Sequence, residues 1–221
     1  MTVSPNGISI STFFTFAAWI SMLLAAGGRT PGPPNTGIIL CLGDSLTAGY
    51  GIGSALAYPA LLQEKIRREG LHYEVINAGV SGDTSAGGLH RLDWLLSRKV
   101  DLLILALGAN DGLRGLPLDL TQRNLDAILT RTRQRFPEVK LLVTGMLIPP
   151  NLNRDYANRF QALFPALAQK HHAQLVPFLL EGVGGRPQLN LPDGIHPTAE
   201  GQRIVAENVW RVLKPMLLAS H

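Results

Sequence analysis

Ser45 lies in the stretch Gly43-Asp44-Ser45-Leu46-Thr47-Ala48-Gly49-Tyr50-Gly51, directly after the apolar run Ile38-Ile39-Leu40-Cys41-Leu42. A serine just past the end of a buried strand projects from the rim of a sheet, and the glycines around it let the backbone turn sharply and approach a ligand. A hydroxyl held there can act as a nucleophile if a base and an oxyanion site stand near it. A plain Gly/Ser/Asp turn is the competing reading of the same residues. Three further stretches have the same polar, glycine-containing character: Asn77-Ala78-Gly79-Val80-Ser81-Gly82-Asp83-Thr84, Gly108-Ala109-Asn110-Asp111-Gly112 and Asp193-Gly194-Ile195-His196-Pro197. Singly, each has a bland reading. Gly-Xaa-Asn-Asp is a common turn, and Asp193 to Pro197 can be a helix entry with Pro197 in the first turn.

The elements between these stretches decide whether they meet. Strand candidates are 37–42, 73–77, 101–107, 139–145 and 174–177, and helix candidates lie near 56–69, 84–98, 119–135, 154–171 and 198–217. The runs at 101–107 and 139–145 are almost uninterrupted in apolar character, as in parallel strands covered on both faces. Strands alternating with helices imply right-handed crossovers and a parallel sheet. The expected fold is a three-layer α/β/α sandwich around a flavodoxin-like, about five-stranded parallel sheet. Such a sheet binds ligands outside the carboxyl ends of its strands. The polar stretches follow the first, second and third strands and precede the last helix. Trp94, Trp210 and Phe136 fall on helical faces and read as core.

Composition narrows the function classes. A chain of 221 residues with 46% hydrophobic and 16% charged residues suits one globular domain and argues against disorder. The net charge of +4 comes with no dense Lys/Arg stripe, which sets nucleic-acid binding aside. The single cysteine, Cys41, excludes an intrachain disulfide and reads as a small core hydrophobe. The histidines show no ligand spacing and no cysteine pair exists, so no metal site and no cofactor is expected. His72, His90, His171, His172 and His221 read as surface or structural residues, and Asp44 and Asp111 as side chains that hold their own turns.

Residues 1–28 carry no charged side chain, and Phe13 to Ala26 is apolar apart from Thr15 and Ser21, with Ala25-Ala26-Gly27-Gly28 following. This reads as a signal peptide for export to the periplasm or beyond. An uncleaved membrane anchor is the alternative, since Ile8 to Ala26 approaches spanning length. Residues 29–36 read as a linker and 37–217 as the domain.

Taken in order, the stretches resemble the SGNH (GDSL-type) hydrolases, named for their Ser, Gly, Asn and His. Within that family they are similar to the bacterial thioesterase I / lysophospholipase L1 / arylesterase group. The resemblance rests on Gly43 to Gly51, Asn77 to Gly88, Leu107 to Gly115, Pro149-Pro150-Asn151 with Tyr156 and Phe160, and Asp193 to Gly201. It spans about residues 37 to 215; the basic residue usual before the apolar leader is missing. It implies Ser45 as nucleophile, His196 as its base and Asp193 as the carboxylate that fixes the imidazole tautomer. It also implies an oxyanion hole made of the Ser45 N–H, the Gly79 N–H and the Asn110 side-chain amide. The implied activity is hydrolysis of carboxylic esters and thioesters (acyl-CoA-type thioesters, lysophospholipids, aryl esters) through an acyl-enzyme. The implied partner is a small-molecule or lipid acyl ester, met by a monomer with peripheral or N-terminal membrane association left open.

Leu113, Leu116, Leu118, Leu147, Ile148 and Leu152 flank the polar stretches. They either anchor their loops or line a groove for an acyl chain, and Arg114 either meets an anionic head group or stays solvated. Three other readings compete with an active acyl hydrolase. One is a phosphate-binding module on the same sheet, although no G-x-G-x-x-G or Walker sequence follows any strand. The second is a non-catalytic envelope protein, and the third a deacetylase of small or carbohydrate esters.

Overall fold

The computed structural model describes residues 36–149 and 153–219. The expected signal or anchor, the linker before Thr36, Pro150 to Leu152 and His221 lie outside the described residues.

Five strands form one parallel sheet: β1 Gly37–Gly43, β2 Tyr73–Gly79, β3 Leu102–Ala106, β4 Lys140–Thr144 and β5 Gln174–Val176. Their order is β2-β1-β3-β4-β5. The central β3 is buried along its whole length, which is why its sequence is an unbroken apolar run. The chain moves outward from β1 to β2, then crosses back to β3. The strand order therefore reverses between β1 and β3, and a crevice opens there at the carboxyl ends. Gly43-Asp44-Ser45 and Gly108-Ala109-Asn110 leave the two strands that flank this crevice.

Helices cover both faces. On one, α2 (Tyr58–Arg68) packs on β2 and against α8 (Ala199–Leu218), which reaches β4 and β5. On the other, α3 (Ser85–His90), α6 (Leu118–Arg135) and α7 (Arg154–Lys170) pack in a row, with α7 against β4 and β5. In α8 the buried Val205, Val209, Leu213 and Leu217 recur at helical spacing and form the stripe that faces the sheet.

Three local expectations change. The helix expected at 84–98 breaks at Arg91 into α3 and a single turn, α4 (Leu92–Leu95). Leu92 and Leu95 take the core side of that turn, so Trp94 faces outward and is 77% exposed rather than core. Trp210 is buried and Phe136 packs against the core as expected. Pro197 lies before the last helix, not in its first turn. Thr198 is the N-cap, and its hydroxyl accepts the Gly201 N–H. Ser45 and Asn110 are not in loops either: Ser45 opens the one-turn helix α1 (Ser45–Ala48), and Asn110 is the second residue of the short helix α5 (Ala109–Leu113).

Candidate active site

Ser45 begins α1, so its backbone N–H is one of the amides that a helix leaves without an internal partner. The Asp44 side chain caps the turn by accepting the Leu46 N–H at 3.0 Å. Gln202, fully buried on α8, accepts the Tyr58 N–H at 2.9 Å and donates to the Leu46 carbonyl at 3.0 Å. The helix that follows the His196 loop thus holds the turn that carries Ser45. Nothing in the sequence periodicity marks Gln202, because its partners lie 144 and 156 residues away.

His196 is fixed by its own loop. The Leu191 N–H donates to its carbonyl at 2.7 Å. Asp193 Oδ1 accepts the backbone N–H groups of Ile195 and His196 at 2.9 and 3.0 Å. Asp193 Oδ2 lies 2.7 Å from His196 Nδ1, and His196 Nε2 lies 2.9 Å from Ser45 Oγ. The two backbone N–H bonds and the imidazole bond hold the Asp193 carboxyl down to about 2. Three residues brought together across 151 positions thus make a relay in which a hydroxyl proton can pass to an imidazole oriented by a carboxylate. The Tyr50 ring packs on the imidazole, 4.4 Å between centroids. Sequence reading passed over this contact, although Tyr50 belongs to the same glycine-rich stretch.

Asn110 Nδ2 donates to the Asp83 carbonyl at 2.9 Å and lies 3.5 Å from Asp44 Oδ2. Its second amide proton thus makes only a long contact, to the Asp44 carboxylate, which a stronger acceptor in the cleft can replace.

The Gly79 expectation needs correction. Its N–H donates to Asn77 Oδ1 at 2.9 Å, so it is not free for a ligand. Its glycine character has another cause: a Cβ there would come within 2.3 Å of the Ala48 backbone nitrogen. Gly82 in the same loop is different. It occupies the third position of a turn closed by the Asp83 N–H on the Val80 carbonyl, with φ +81°, a conformation that glycine allows. Among the described residues its N–H has no hydrogen-bond partner.

Ser45, Asn110 and His196 line a cleft of about 400 Å³. Leu113, Leu147 and Ile148 line it too, together with Met146, Phe178, Leu180, Gly184, Gly185 and Ile195. Leu116 and Arg114 do not. The Leu116 carbonyl accepts from Tyr156, and Arg114 donates to the Gly82 carbonyl at the surface. Leu118 is core, at the start of α6. The residues after β5 were legible in principle, since they follow a strand end like the others. Their signal was weak because Phe178 to Gly185 are apolar residues and glycines apart from Glu181.

Asp44 and Asp111 do more than hold turns. Asp111 accepts from the Ser85 N–H, the Ser85 hydroxyl and the Thr121 hydroxyl, joining α5 to α3 and α6. Asp44 is fully buried at the cleft, and burial pushes its carboxyl up to about 7, held back by the Leu46 N–H. A raised folded value means that the neutral form is favoured by folding. Its contribution is full below the unfolded value of 3.8 and is lost as pH rises through about 7. Asp44→Asn keeps a capping oxygen and removes the buried charge. It is therefore expected to raise the melting temperature at about pH 8.5 and to leave it unchanged near pH 4. Thermal melts at the two pH values check this.

His171 is structural, bonded to Asp126 at 2.7 Å, and Cys41 is a buried free thiol whose ionisation burial pushes up. Among the described residues, no group of three or more His, Cys, Asp or Glu side chains is placed to hold a metal ion.

The model of the GDSL-like Lipase/Acylhydrolase family matches residues 41–204. The chain belongs to this family. It is 43% identical over 180 residues to the esterase TesA of Pseudomonas aeruginosa, covering 81% of this chain and 89% of that protein. To the thioesterase 1/protease 1/lysophospholipase L1 of Escherichia coli it is 38% identical, covering 81% and 84%. A crystal structure of TesA superposes with a TM-score of 0.78 at 42% identity, over 81% of this chain and 99% of that one. The protein is accordingly an acyl-ester hydrolase with an α/β fold.

Proposed function

We propose that Ser45 Oγ attacks the ester or thioester carbonyl while His196 Nε2 takes its proton. The imidazolium then protonates the leaving alcohol or thiol, and water repeats the sequence on the acyl-enzyme. Asp193 holds the imidazole tautomer. The Ser45 N–H, the Asn110 amide and the Gly82 N–H, rather than that of Gly79, receive the developing oxyanion. The observation that carries this reading is the pair of short contacts, 2.7 and 2.9 Å, running from Asp193 through His196 to Ser45 at the mouth of an apolar cleft. A fluorophosphonate probe is expected to label the protein, and Ser45→Ala to abolish labelling; a labelled Ser45→Ala protein would overturn the assignment.

Acyl esters and thioesters of medium length suit the cleft, because its walls beyond the polar groups are Leu, Ile, Met and Phe. Each methylene buried there contributes about 0.8 kcal/mol at most, roughly fourfold per carbon. On p-nitrophenyl esters kcat/KM should therefore rise from acetate into the medium-chain range and then level off. Leu147→Ala should flatten the rise with acetate hydrolysis nearly unchanged, and Leu116→Ala, outside the cleft, should not. At Gly184 a new Cβ would touch Phe178 at 3.4 Å, so Gly184→Leu should fill the cleft and abolish the gain with chain length. A wild-type preference for acetate alone would point instead to a deacetylase.

The apolar N-terminal stretch extends this reading to an enzyme that is exported, or alternatively held at the membrane by that stretch uncleaved. Among the described residues no helix is long and apolar enough to cross a membrane.

A further inference from the structure

Arg91 occupies the break between α3 and α4, and its side chain is only 20% exposed. Nε donates to Asp83 Oδ2 at 2.8 Å and Nη2 to the Gly43 carbonyl at 3.0 Å. The two contacts reach two different loops of the site. Gly43 ends β1, two residues before Ser45, and its carbonyl also accepts the Val80 N–H at 3.1 Å. Asp83 follows Gly82, and its own carbonyl takes one amide proton of Asn110. One guanidinium thus connects the segments that present Ser45, Gly82 and Asn110. Its planar fork fixes the spacing between the two acceptors, which a single flexible ammonium does not.

We propose that Arg91 is the positioning residue of the oxyanion hole. By holding Gly43 and Asp83 at a fixed separation, it aims the N–H groups of Ser45 and Gly82 and the weakly held amide proton of Asn110 at one point. Such donors stabilise charge only when they are preorganised, and small displacements forfeit the effect. The competing acceptor is present in the site: Asn110 Nδ2 already donates to Asp44 Oδ2 at 3.5 Å, and that carboxylate would draw the amide closer if the Asp83 carbonyl shifted. Asp83 is largely buried, and its carboxylate faces Arg91 rather than solvent.

This inference rests on the reading of Asn110 as an oxyanion donor, and a double-mutant cycle tests the two separately. Arg91→Met, Arg91→Lys, Asn110→Ala and the doubles with Asn110→Ala are assayed for kcat and KM on p-nitrophenyl butyrate, below each variant's melting temperature. Arg91→Met is expected to lower kcat by about 10–100-fold with KM nearly unchanged, the scale of a small misplacement of reacting groups. Arg91→Lys should recover only part of the loss, because its ammonium reaches one acceptor at a time. In the Asn110→Ala background the Arg91 substitutions should cost much less than in the wild type, since the donor they aim is gone. Should Arg91→Met fail to fold, Arg91→Lys carries the same cycle. Full kcat in a folded Arg91 variant, or losses that simply multiply in the double, would overturn the proposal while leaving the oxyanion reading intact. An Asn110→Ala enzyme with wild-type kcat would instead remove the reading beneath it.

Discussion

Ser45→Ala and His196→Ala are each expected to lower kcat on a short-chain ester by on the order of 10⁴–10⁶-fold, with the double variant no worse than the poorer single. Non-additivity follows from the geometry. The hydroxyl is a weak nucleophile without the imidazole 2.9 Å away, and the imidazole has no proton to take without the hydroxyl. Neither substitution threatens the fold. The α1 turn is capped by Asp44, not by Ser45, and held by Gln202. The His196 backbone stays pinned through its carbonyl to the Leu191 N–H and through its own N–H to Asp193. Rates measured by single-turnover ester hydrolysis, beside matched melting temperatures, decide the matter. A folded Ser45→Ala enzyme with near-wild-type turnover would refute the assignment, and losses that multiply in the double would mean that the two residues act independently.

Asn110→Ala is expected to lower kcat by about 10²–10³-fold with little change in KM, the effect of removing one oxyanion donor. The amide is positioned but not load-carrying. One proton is anchored on the Asp83 carbonyl, while the neighbouring Asp111 makes the tertiary contacts with Ser85 and Thr121. Asn110→Ala should therefore fold normally, and Asp111→Ala should not, because it strands the Ser85 and Thr121 donors in the interior. A large rise in KM at unchanged kcat would make Asn110 a ground-state binding residue instead.

Much of this was legible in the chain itself. β3 and β4 are apolar on both faces because helices cover both sides of the sheet, so their runs mark them as parallel strands without any tertiary information. Once strands and helices alternate, the polar stretches must gather at the carboxyl ends. Ser45, Asn110, Asp193 and His196 could be singled out for that reason, together with their likeness to one hydrolase family. Leu113, Leu147 and Ile148 were within reach because they adjoin those stretches.

Tertiary structure decided what adjacency in sequence cannot. It tied the Gly79 N–H to Asn77, two residues before it, and left the Gly82 N–H without a partner among the described residues, a difference that only coordinates show. It excluded Leu116 and Arg114 from the cleft and brought in Phe178 and Leu180, because cleft walls are set by where loops from separate strands meet. It broke the helix at Arg91, where the guanidinium turns inward to Asp83 and Gly43 and leaves Trp94 in solvent. Arg91 and Gln202 carry no sequence signal because their partners lie in other elements, where neither helical nor strand periodicity reaches. Periodicity and motif order determined the sheet, its ligand-binding edge and which groups are candidates to react. The aim of those groups was fixed by hydrogen bonds between distant segments, which exist only once the chain has folded.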